Sequence, residues 1–264
     1  MKATVFLGAG RITSALVAGL RLAGYRQGIV LYDRNPSKLR ALRREFDVEA
    51  ARDLKTALEQ AETLIVAVRP DSIANLLREV APLTRGPQLA ISLAAGVPLK
   101  RLRRELRSPV RWVRAMPSPI CRIGRGLTAL TFDRTATAAD RRRVRAFFLR
   151  VGSVLEIPES QVDAFTVAFS PSYGYHALHT LAKAAQAAGL DRTTALAAAS
   201  HALSDGIFYW RHSRQRLADL LQEATTPGGT AAATMAAMDK SGYEKAFTRG
   251  LCAGIKQARR NATR

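Results

Sequence analysis

The segment best suited to chemistry is a glycine-rich turn near the start of the chain. Residues 8–13 read Gly-Ala-Gly-Arg-Ile-Thr, between an apolar β-like run at 3–7 and an amphipathic helical stretch at 12–23. The first glycine of such a turn permits the tight bend, and the second lets the backbone approach a pyrophosphate at the helix N-terminus. Thr13 occupies the place of the usual third glycine. We predict a dinucleotide site, with a ligand-free βα turn as the alternative.

The end of the next β-like run bears on which dinucleotide binds. Asp33 stands where an acidic residue accepts hydrogen bonds from the adenosine ribose, which favours NAD. Arg34 follows it, and an arginine here accommodates the 2′-phosphate of NADP. With Ser37 and Lys38 on the following turn, Arg34 would form an anion site. We therefore favour NADP, with NAD as the alternative.

A second segment suited to an anion lies far along the chain. Residues 227–230 read Pro-Gly-Gly-Thr and precede an Ala-rich helical stretch. Two glycines before a helix expose consecutive N–H donors, which the helix dipole reinforces, and Thr226 adds a hydroxyl. The same residues would equally form a plain helix–helix turn with Thr230 as the N-cap. The spacing alone leaves both interpretations open.

The elements around these segments predict two domains. Up to residue 157, short β-like runs alternate with amphipathic helices, as in βαβ units on a parallel sheet. From residue 161 onward the sequence is helical in period and rich in Ala. We predict an α/β Rossmann-type doubly wound sheet over 1–157 and an all-helical domain over 158–264. Helices with large apolar faces and few charges often complete their core in a dimer.

Composition excludes several classes of protein. The 264 residues are 47% apolar, which excludes disorder of the whole chain, and no apolar run approaches the roughly 18 residues that span a bilayer. Two distant cysteines and the lack of an export signal lead us to expect a cytoplasmic protein with reduced thiols. His176 and His179 lie one helical turn apart without a third ligand nearby, so we predict no metal site.

The charge is strongly positive, with a formal net charge of +20. Residues 100–150 hold 15 Lys and Arg against 3 carboxylates, a density that could bind nucleic acid or steer anionic ligands. No aromatic residues alternate with the arginine runs as a base-stacking surface requires. We therefore interpret these runs as solvated helix faces and expect no nucleic-acid partner.

Several segments together resemble the Δ1-pyrroline-5-carboxylate reductase family. The similarity runs in order from residue 4 to about 260, and its most specific part is the Thr-Pro-Gly-Gly-Thr block. Besides the glycine turn, the matching segments are Ala67–Pro70 (the family's Ala-Val-Lys-Pro turn), Ser92–Val97, Val113–Leu130, Thr225–Thr230 and Met238–Tyr243.

The resemblance implies an NAD(P)H-dependent reduction of a cyclic imine carboxylate, 1-pyrroline-5-carboxylate, to proline. It implies a homodimer formed through the helical domain, with higher assembly left open. It assigns cofactor contacts to Gly8, Ala9, Gly10, Arg11, Ile12, Asp33, Arg34, Val68, Arg69, Pro70, Ala94, Ala95 and Gly96. It assigns substrate contacts to Thr226, Pro227, Gly228, Gly229, Thr230 and Tyr173, with Thr230 as the candidate catalytic residue.

The chain departs from the family's pattern around the expected substrate. The family's Ser-Gly-Ser-x-Pro-Ala-Tyr segment is here Ser170–Tyr175, in which Pro171 replaces a glycine and Tyr173 adds bulk. Ala231 replaces the second Thr after the two glycines, and Ser118 replaces an Asn. These departures leave the fold and the cofactor site intact and concern the identity of the substrate and the delivery of a proton.

Two other functions stay open from the sequence. One is a different imine reductase or a β-hydroxyacid-dehydrogenase-like oxidoreductase, in which Lys183 would be catalytic, although that family's Gly-rich approach to the lysine is absent. The other is a catalytically impaired dinucleotide-binding protein whose basic segment at 100–150 binds a polyanion.

Overall fold

Eight β-strands form one sheet in the computed structural model, which describes residues 2–84, 88–106 and 109–263. The strand order is β3-β2-β1-β4-β5-β6-β7-β8, so the chain winds outward from β1 in both directions. The strands are β1 (Ala3–Leu7), β2 (Ile29–Tyr32), β3 (Glu49–Ala50), β4 (Ala61–Val66), β5 (Gln88–Ser92), β6 (Val110–Pro117), β7 (Gly126–Phe132) and β8 (Gly152–Glu156). The predicted doubly wound sheet is confirmed.

One strand pair departs from the parallel arrangement that the βαβ pattern predicts. β6 and β7 run antiparallel, whereas every other pair is parallel. The segment 118–125 that joins them contains only a 3₁₀ turn, Pro119–Ile123. A parallel connection needs a crossover of a dozen or more residues, so this short link forces the chain to reverse.

Helices cover both faces of the sheet, and the alternation of side chains along the strands separates two cores. In β1, Val5 and Leu7 face one core while Phe6 faces the other. The first core is built with α3, α4 and α5, and the second with α1, α2 and α6. These helices are α1 (Arg11–Leu22), α2 (Pro36–Glu45), α3 (Leu54–Gln60), α4 (Ile73–Val80), α5 (Leu99–Glu105) and α6 (Ala138–Leu149).

The remaining helices follow β8. They are α7 (Glu159–Ala168), α8 (Ser172–Ala187), α9 (Arg192–His212), α10 (Leu217–Ala224), α11 (Thr230–Lys240) and α12 (Tyr243–Thr263). The predicted helical region is therefore confirmed. No helix in the described ranges is long and apolar enough to cross a membrane.

The chain divides into two compact units. The first comprises Met1–Phe169 and Ala253–Arg264, and the second comprises Ser170–Cys252. Within the monomer this division falls after the predicted boundary at residue 157, because α7 packs on the sheet through Val162. The end of α12 also returns to the first unit, where Ala262 joins its core.

A buried arginine attaches α7 and α12 to the sheet. Arg114 on β6 is 2% exposed and forms ion pairs with Glu159 at 3.3 Å and Asp163 at 3.6 Å, both on α7. Asp163 also pairs with Arg259 on α12 at 3.1 Å. A buried charge is tolerated only when it is paired, so this cluster specifies where the two helices lie on the first unit.

The second unit buries few of its own apolar side chains. Among its described residues, Ala182, Ala195 and Ala199 are the buried ones. Large apolar side chains remain exposed, notably four consecutive residues of α9 that surround the helix. They are Ile207, Phe208, Tyr209 and Trp210.

The start of α6 yields a prediction about stability at low pH. Burial alone would raise the pKa of Asp140, but hydrogen bonds from Arg111 and Thr137 outweigh it and lower the pKa to about 2. Both oxygens of Asp140 accept from Arg111, at 2.6 and 3.0 Å, and the carboxylate completes a capping box with Thr137. The ionised carboxylate therefore stabilises the folded state above the unfolded pKa near 3.8.

We expect Asp140→Asn to lower the free energy of unfolding by about 2 kcal/mol at pH 7. The wild type should lose this contribution as the pH falls from about 4 through about 2, since Asp140 then becomes protonated in the folded state. Urea denaturation from pH 7 to pH 2 measures how the difference in the free energy of unfolding between wild type and variant decreases. The exposed change Asp47→Asn is the control. A difference that stays constant with pH would show that the charge is not its source.

Candidate functional site

A cleft of about 620 Å³ lies in the first unit at the carboxyl ends of β1, β2 and β4. In doubly wound sheets, ligands bind where successive connections leave to opposite faces, as they do beside β1 here. The cleft is lined by Leu7, Gly8, Gly10, Arg11, Ile12, Tyr32, Asp33, Arg34, Lys38, Ala67, Val68, Arg69, Ser72, Asn75 and Leu76.

The two glycines of the turn serve different purposes. Gly8 has φ +110°, and a Cβ there would lie 2.7 Å from the carbonyl oxygen of Ala67 at the end of β4. Only glycine permits this crossing of two backbones. Gly10 has an ordinary φ of −85°, and a Cβ there would meet no atom within 4 Å. The missing side chain at Gly10 therefore leaves space for a ligand rather than for the protein.

Thr13 takes the place of the third glycine without loss of packing. Its side chain is buried, and its hydroxyl donates a 2.7 Å hydrogen bond to the carbonyl oxygen of Gly8. The close approach of α1 to its neighbour occurs instead at Gly19, where a Cβ would lie 2.0 Å from the carbonyl oxygen of Cys121.

The carboxylate of Asp33 is directed at the backbone. One oxygen accepts a 2.8 Å hydrogen bond from the N–H of Ala9, and the other accepts at 2.8 Å from the N–H of Asn35. Asp33 therefore ties the glycine turn to the end of β2. Both of its oxygens already have donors, while Lys38 lies 3.9 Å from one of them.

Cations gather at the outer end of the cleft. Arg34 and Lys38 line it, and Arg34 forms an ion pair with Glu79 on α4. A neighbouring hollow of about 310 Å³ is lined by Arg34, Asn75, Arg78 and Glu79. Side chains of α4 therefore complete this end, which the sequence analysis missed.

The turn after β4 forms the opposite wall. Val68 and Arg69 line the cleft, and Pro70 begins a 3₁₀ turn that leads into α4. Arg11 and Arg69 are exposed, and the side chain of neither forms a hydrogen bond or ion pair within the described residues. Three further residues that line the cleft were not predicted: Ser72, Asn75 and Leu76. They could have been identified from their position soon after β4, where the strand order of the sheet changes direction.

The segment after β5 does not line this cleft. Ala94 is buried, and Ala95 is partly buried. Gly96 has φ +74°, and a Cβ there would lie 2.6 Å from the carbonyl oxygen of Ala258 on α12. In the monomer Gly96 therefore lies against the end of α12, and the role of all three residues as cofactor contacts stays a prediction.

In the second unit, the structure decides how α11 begins. Gly229 is the N-cap, and no side chain caps the helix, so the N-cap interpretation of Thr230 is wrong. Thr230 is instead the first helical residue. Gly228 adopts φ +78°, which lets the chain turn before the helix, and Thr226 and Pro227 are exposed beside it. The first N–H groups of α11 are therefore left for another acceptor.

The other reactive side chains considered have no catalytic arrangement. Tyr173, His176, His179 and Lys183 lie on α8, and no group of three or more metal-ligating side chains occurs among the described residues. Burial raises the pKa of the Cys121 thiol to about 12, so the thiol stays protonated at neutral pH and is no nucleophile.

Two family models match separate parts of the chain. A model described as "NADP oxidoreductase coenzyme F420-dependent" matches residues 4–96. A model described as "Pyrroline-5-carboxylate reductase dimerisation" matches residues 159–261. The first match covers the glycine turn and the cleft, and the second covers the helices from α7 onward.

Solved structures share the fold over the whole chain. The pyrroline carboxylate reductase of Plasmodium falciparum, solved with NADP bound, has a TM-score of 0.87 at 20% identity and covers 99% of this chain and 98% of its own. A pyrroline-5-carboxylate reductase from Coxiella burnetii has a TM-score of 0.88 at 24% identity, with the same coverage.

Relatives of known name agree in sequence. The pyrroline-5-carboxylate reductase of Pisum sativum is 26% identical over 96% of this chain and 94% of its own length. That of Mycobacterium leprae is 30% identical over 92% of this chain and 90% of its own. The similarity at 30% identity over almost the whole of both proteins, together with the dimerisation model, shows that the chain belongs to the pyrroline-5-carboxylate reductase family.

Proposed function

We propose that this protein reduces 1-pyrroline-5-carboxylate to proline with NADPH. Membership of the family assigns an NAD(P)H-dependent reduction of a C=N bond. The observation that carries the proposal to particular residues is the cleft at the glycine turn, where the start of α1 lies open at Gly10.

The glycine turn would hold the pyrophosphate of the cofactor. α1 begins at Arg11 without a side-chain cap, so its first N–H groups point toward the open space at Gly10. Arg11 and Arg69 place two cations at the same cleft. When bound, the nicotinamide cofactor supplies a hydride to the imine carbon of the substrate.

The adenosine end favours NADP over NAD. Asp33 accepts a backbone hydrogen bond on each oxygen, so its carboxylate is oriented by the glycine turn and by Asn35. Arg34 and Lys38 lie at the same end and can form charge-assisted hydrogen bonds with a 2′-phosphate. The NADP bound to the Plasmodium falciparum relative agrees with this preference.

The loop before α11 would bind the substrate carboxylate. Thr226, Pro227 and Gly228 are exposed and precede uncapped N–H groups, and the dipole of the eleven-residue helix favours a negative charge there. A protonated imine carries its own proton, so reduction depends mainly on close positioning rather than on a strong acid. We assign Thr230 as the candidate catalytic hydroxyl and Tyr173 as a further substrate contact.

The second unit would complete its core in a homodimer. The exposed ring of Ile207–Trp210 surrounds α9, and apolar side chains on all sides of a helix require partners on all sides.

Light scattering on the purified protein measures its mass in solution, which we expect to be that of a dimer or a larger assembly. A mass of 28.7 kDa, that of one chain, would contradict the dimer.

The basic segment gains no support as a polyanion site. Arg141 and Arg145 both pair with Glu156, and Arg143 pairs with Glu62. The densest arginine run is therefore partly neutralised by carboxylates of the same unit. Lys183 lies on α8, and its side chain forms no hydrogen bond or ion pair with the described part of the chain.

The first prediction concerns cofactor choice. With pyrroline-5-carboxylate as substrate, we expect faster oxidation of NADPH than of NADH at equal concentration. Arg34→Ala should raise the KM for NADPH about tenfold and leave that for NADH almost unchanged, because the lost bond is to the 2′-phosphate. Arg44→Ala, an exposed change outside the cleft, is the control. An equal effect of Arg34→Ala on both cofactors would refute the assignment.

The second prediction separates the two glycines. Gly10→Ala should melt like the wild type but weaken NADP binding at least about tenfold, because its methyl fills the space needed by the pyrophosphate. Gly8→Ala should instead lower the free energy of unfolding by about 1–3 kcal/mol, because its φ is positive and its Cβ meets Ala67. Thermal melting and equilibrium titration with NADP measure both. Unchanged binding by Gly10→Ala would place the pyrophosphate elsewhere.

The third prediction concerns the missing hydroxyl at the start of α11. Ala231→Thr should raise kcat for pyrroline-5-carboxylate severalfold, because it supplies the hydroxyl that the family places beside the imine nitrogen. Ala233→Thr, two residues along the same helix and so about half a turn away, is the control. If Ala231→Thr lowers kcat and improves turnover of no cyclic imine tested, the hydroxyl is not what limits this enzyme.

A further inference from the structure

Glu79 pairs with the guanidinium of Arg34, which the cofactor's 2′-phosphate would need. It lies on the last turn of α4 and forms an ion pair with Arg34 across the outer end of the cleft. The side chains of Arg34 and Glu79 are 68% and 45% exposed, so solvent screens this pair and a ligand can reach it.

Lys38 and Arg78 add positive charge at this end, but no ion pair joins either of them to Glu79 within the described residues. Lys38 is 3.9 Å from Asp33, and Arg78 donates to the side chain of Asn75. Among the described residues lining the neighbouring hollow, Glu79 is the one carboxylate. A phosphate that enters this hollow meets the carboxylate of Glu79, which already pairs with Arg34.

We propose that Glu79 is a specificity-determining residue that restrains the preference of this enzyme for NADP over NAD. The inference rests on the proposed binding of the adenosine end at Arg34. A 2′-phosphate must compete with the Glu79 carboxylate for Arg34 and remain near that negative charge. The uncharged 2′-OH of NAD meets no such repulsion, so Glu79 penalises one cofactor and not the other.

Removal of Glu79 could instead weaken the binding of a cofactor, and this result would contradict the proposal. If the ion pair served to hold Arg34 in place for the phosphate, removing Glu79 would weaken NADP binding through lost pre-organisation. If Glu79 accepted a hydrogen bond from the ribose of NAD, its removal would weaken NAD binding. Direct binding measurements distinguish these cases by sign.

The experiment measures equilibrium dissociation constants for NADP and NAD with Glu79→Gln and wild type at low ionic strength. We expect the Kd for NADP to fall about threefold to fivefold, the size of a released exposed ion pair, with the Kd for NAD unchanged. Glu45→Gln is the matched control, since Glu45 forms an exposed pair with Arg122 away from the cleft. In an Arg34→Ala background the effect of Glu79→Gln should shrink, because the shared guanidinium is gone.

Binding also separates this inference from the reaction. Failure of the wild type to turn over pyrroline-5-carboxylate would refute the proposed function while leaving the binding comparison intact. A weaker Kd for NADP in Glu79→Gln, or equal shifts for both cofactors, would overturn the role of Glu79. Titration with 2′,5′-ADP and ADP tests the same difference on the adenosine half alone, and an equal response of both probes would also overturn it.

Discussion

The cleft depends on the contact between the backbone of Gly8 and that of Ala67. β1 and β4 are neighbours at the centre of the sheet, and the chain leaves them toward helices on opposite faces. A side chain at Gly8 would collide with the carbonyl oxygen of Ala67, so the two turns lie as close as backbones allow. The space beside them, at Gly10, becomes the opening in which α1 presents its first N–H groups.

Local patterns in the sequence predicted much of this arrangement. A glycine turn between an apolar strand and a helix has few structural alternatives, and Asp33 and Arg34 lie at a fixed place after the second strand. The tie between Asp33 and the N–H of Ala9, and the pairing of Arg34 with Glu79, join residues far apart in the chain. The periodicity of apolar residues does not predict such contacts, because they form only when the chain folds and brings these distant elements together.

The same reasoning explains what the sequence did not predict. The antiparallel direction of β7 follows from the short link between β6 and β7, which the alternation of β-like and helical runs does not encode. The position of Gly96 against α12 was not predicted either, because α12 comes from the far end of the chain. The assignment of Ala94, Ala95 and Gly96 as cofactor contacts stays a prediction. The start of α11 differs in another way, because the sequence allowed Thr230 as the N-cap, whereas the backbone angles place Gly229 there.

The return of α12 makes the nucleotide-binding unit discontinuous. Its final segment contributes Ala262 to the core of that unit and Arg259 to the cluster around Arg114. The helices from Ser170 to Cys252 are thus an insertion whose two ends both emerge from one folded body. A chimera that exchanges helical units between relatives would therefore need junctions near residues 169 and 253, keeping the host's own terminal segment. A cut that simply joins a foreign C-terminal half at residue 157 would discard part of the host's core.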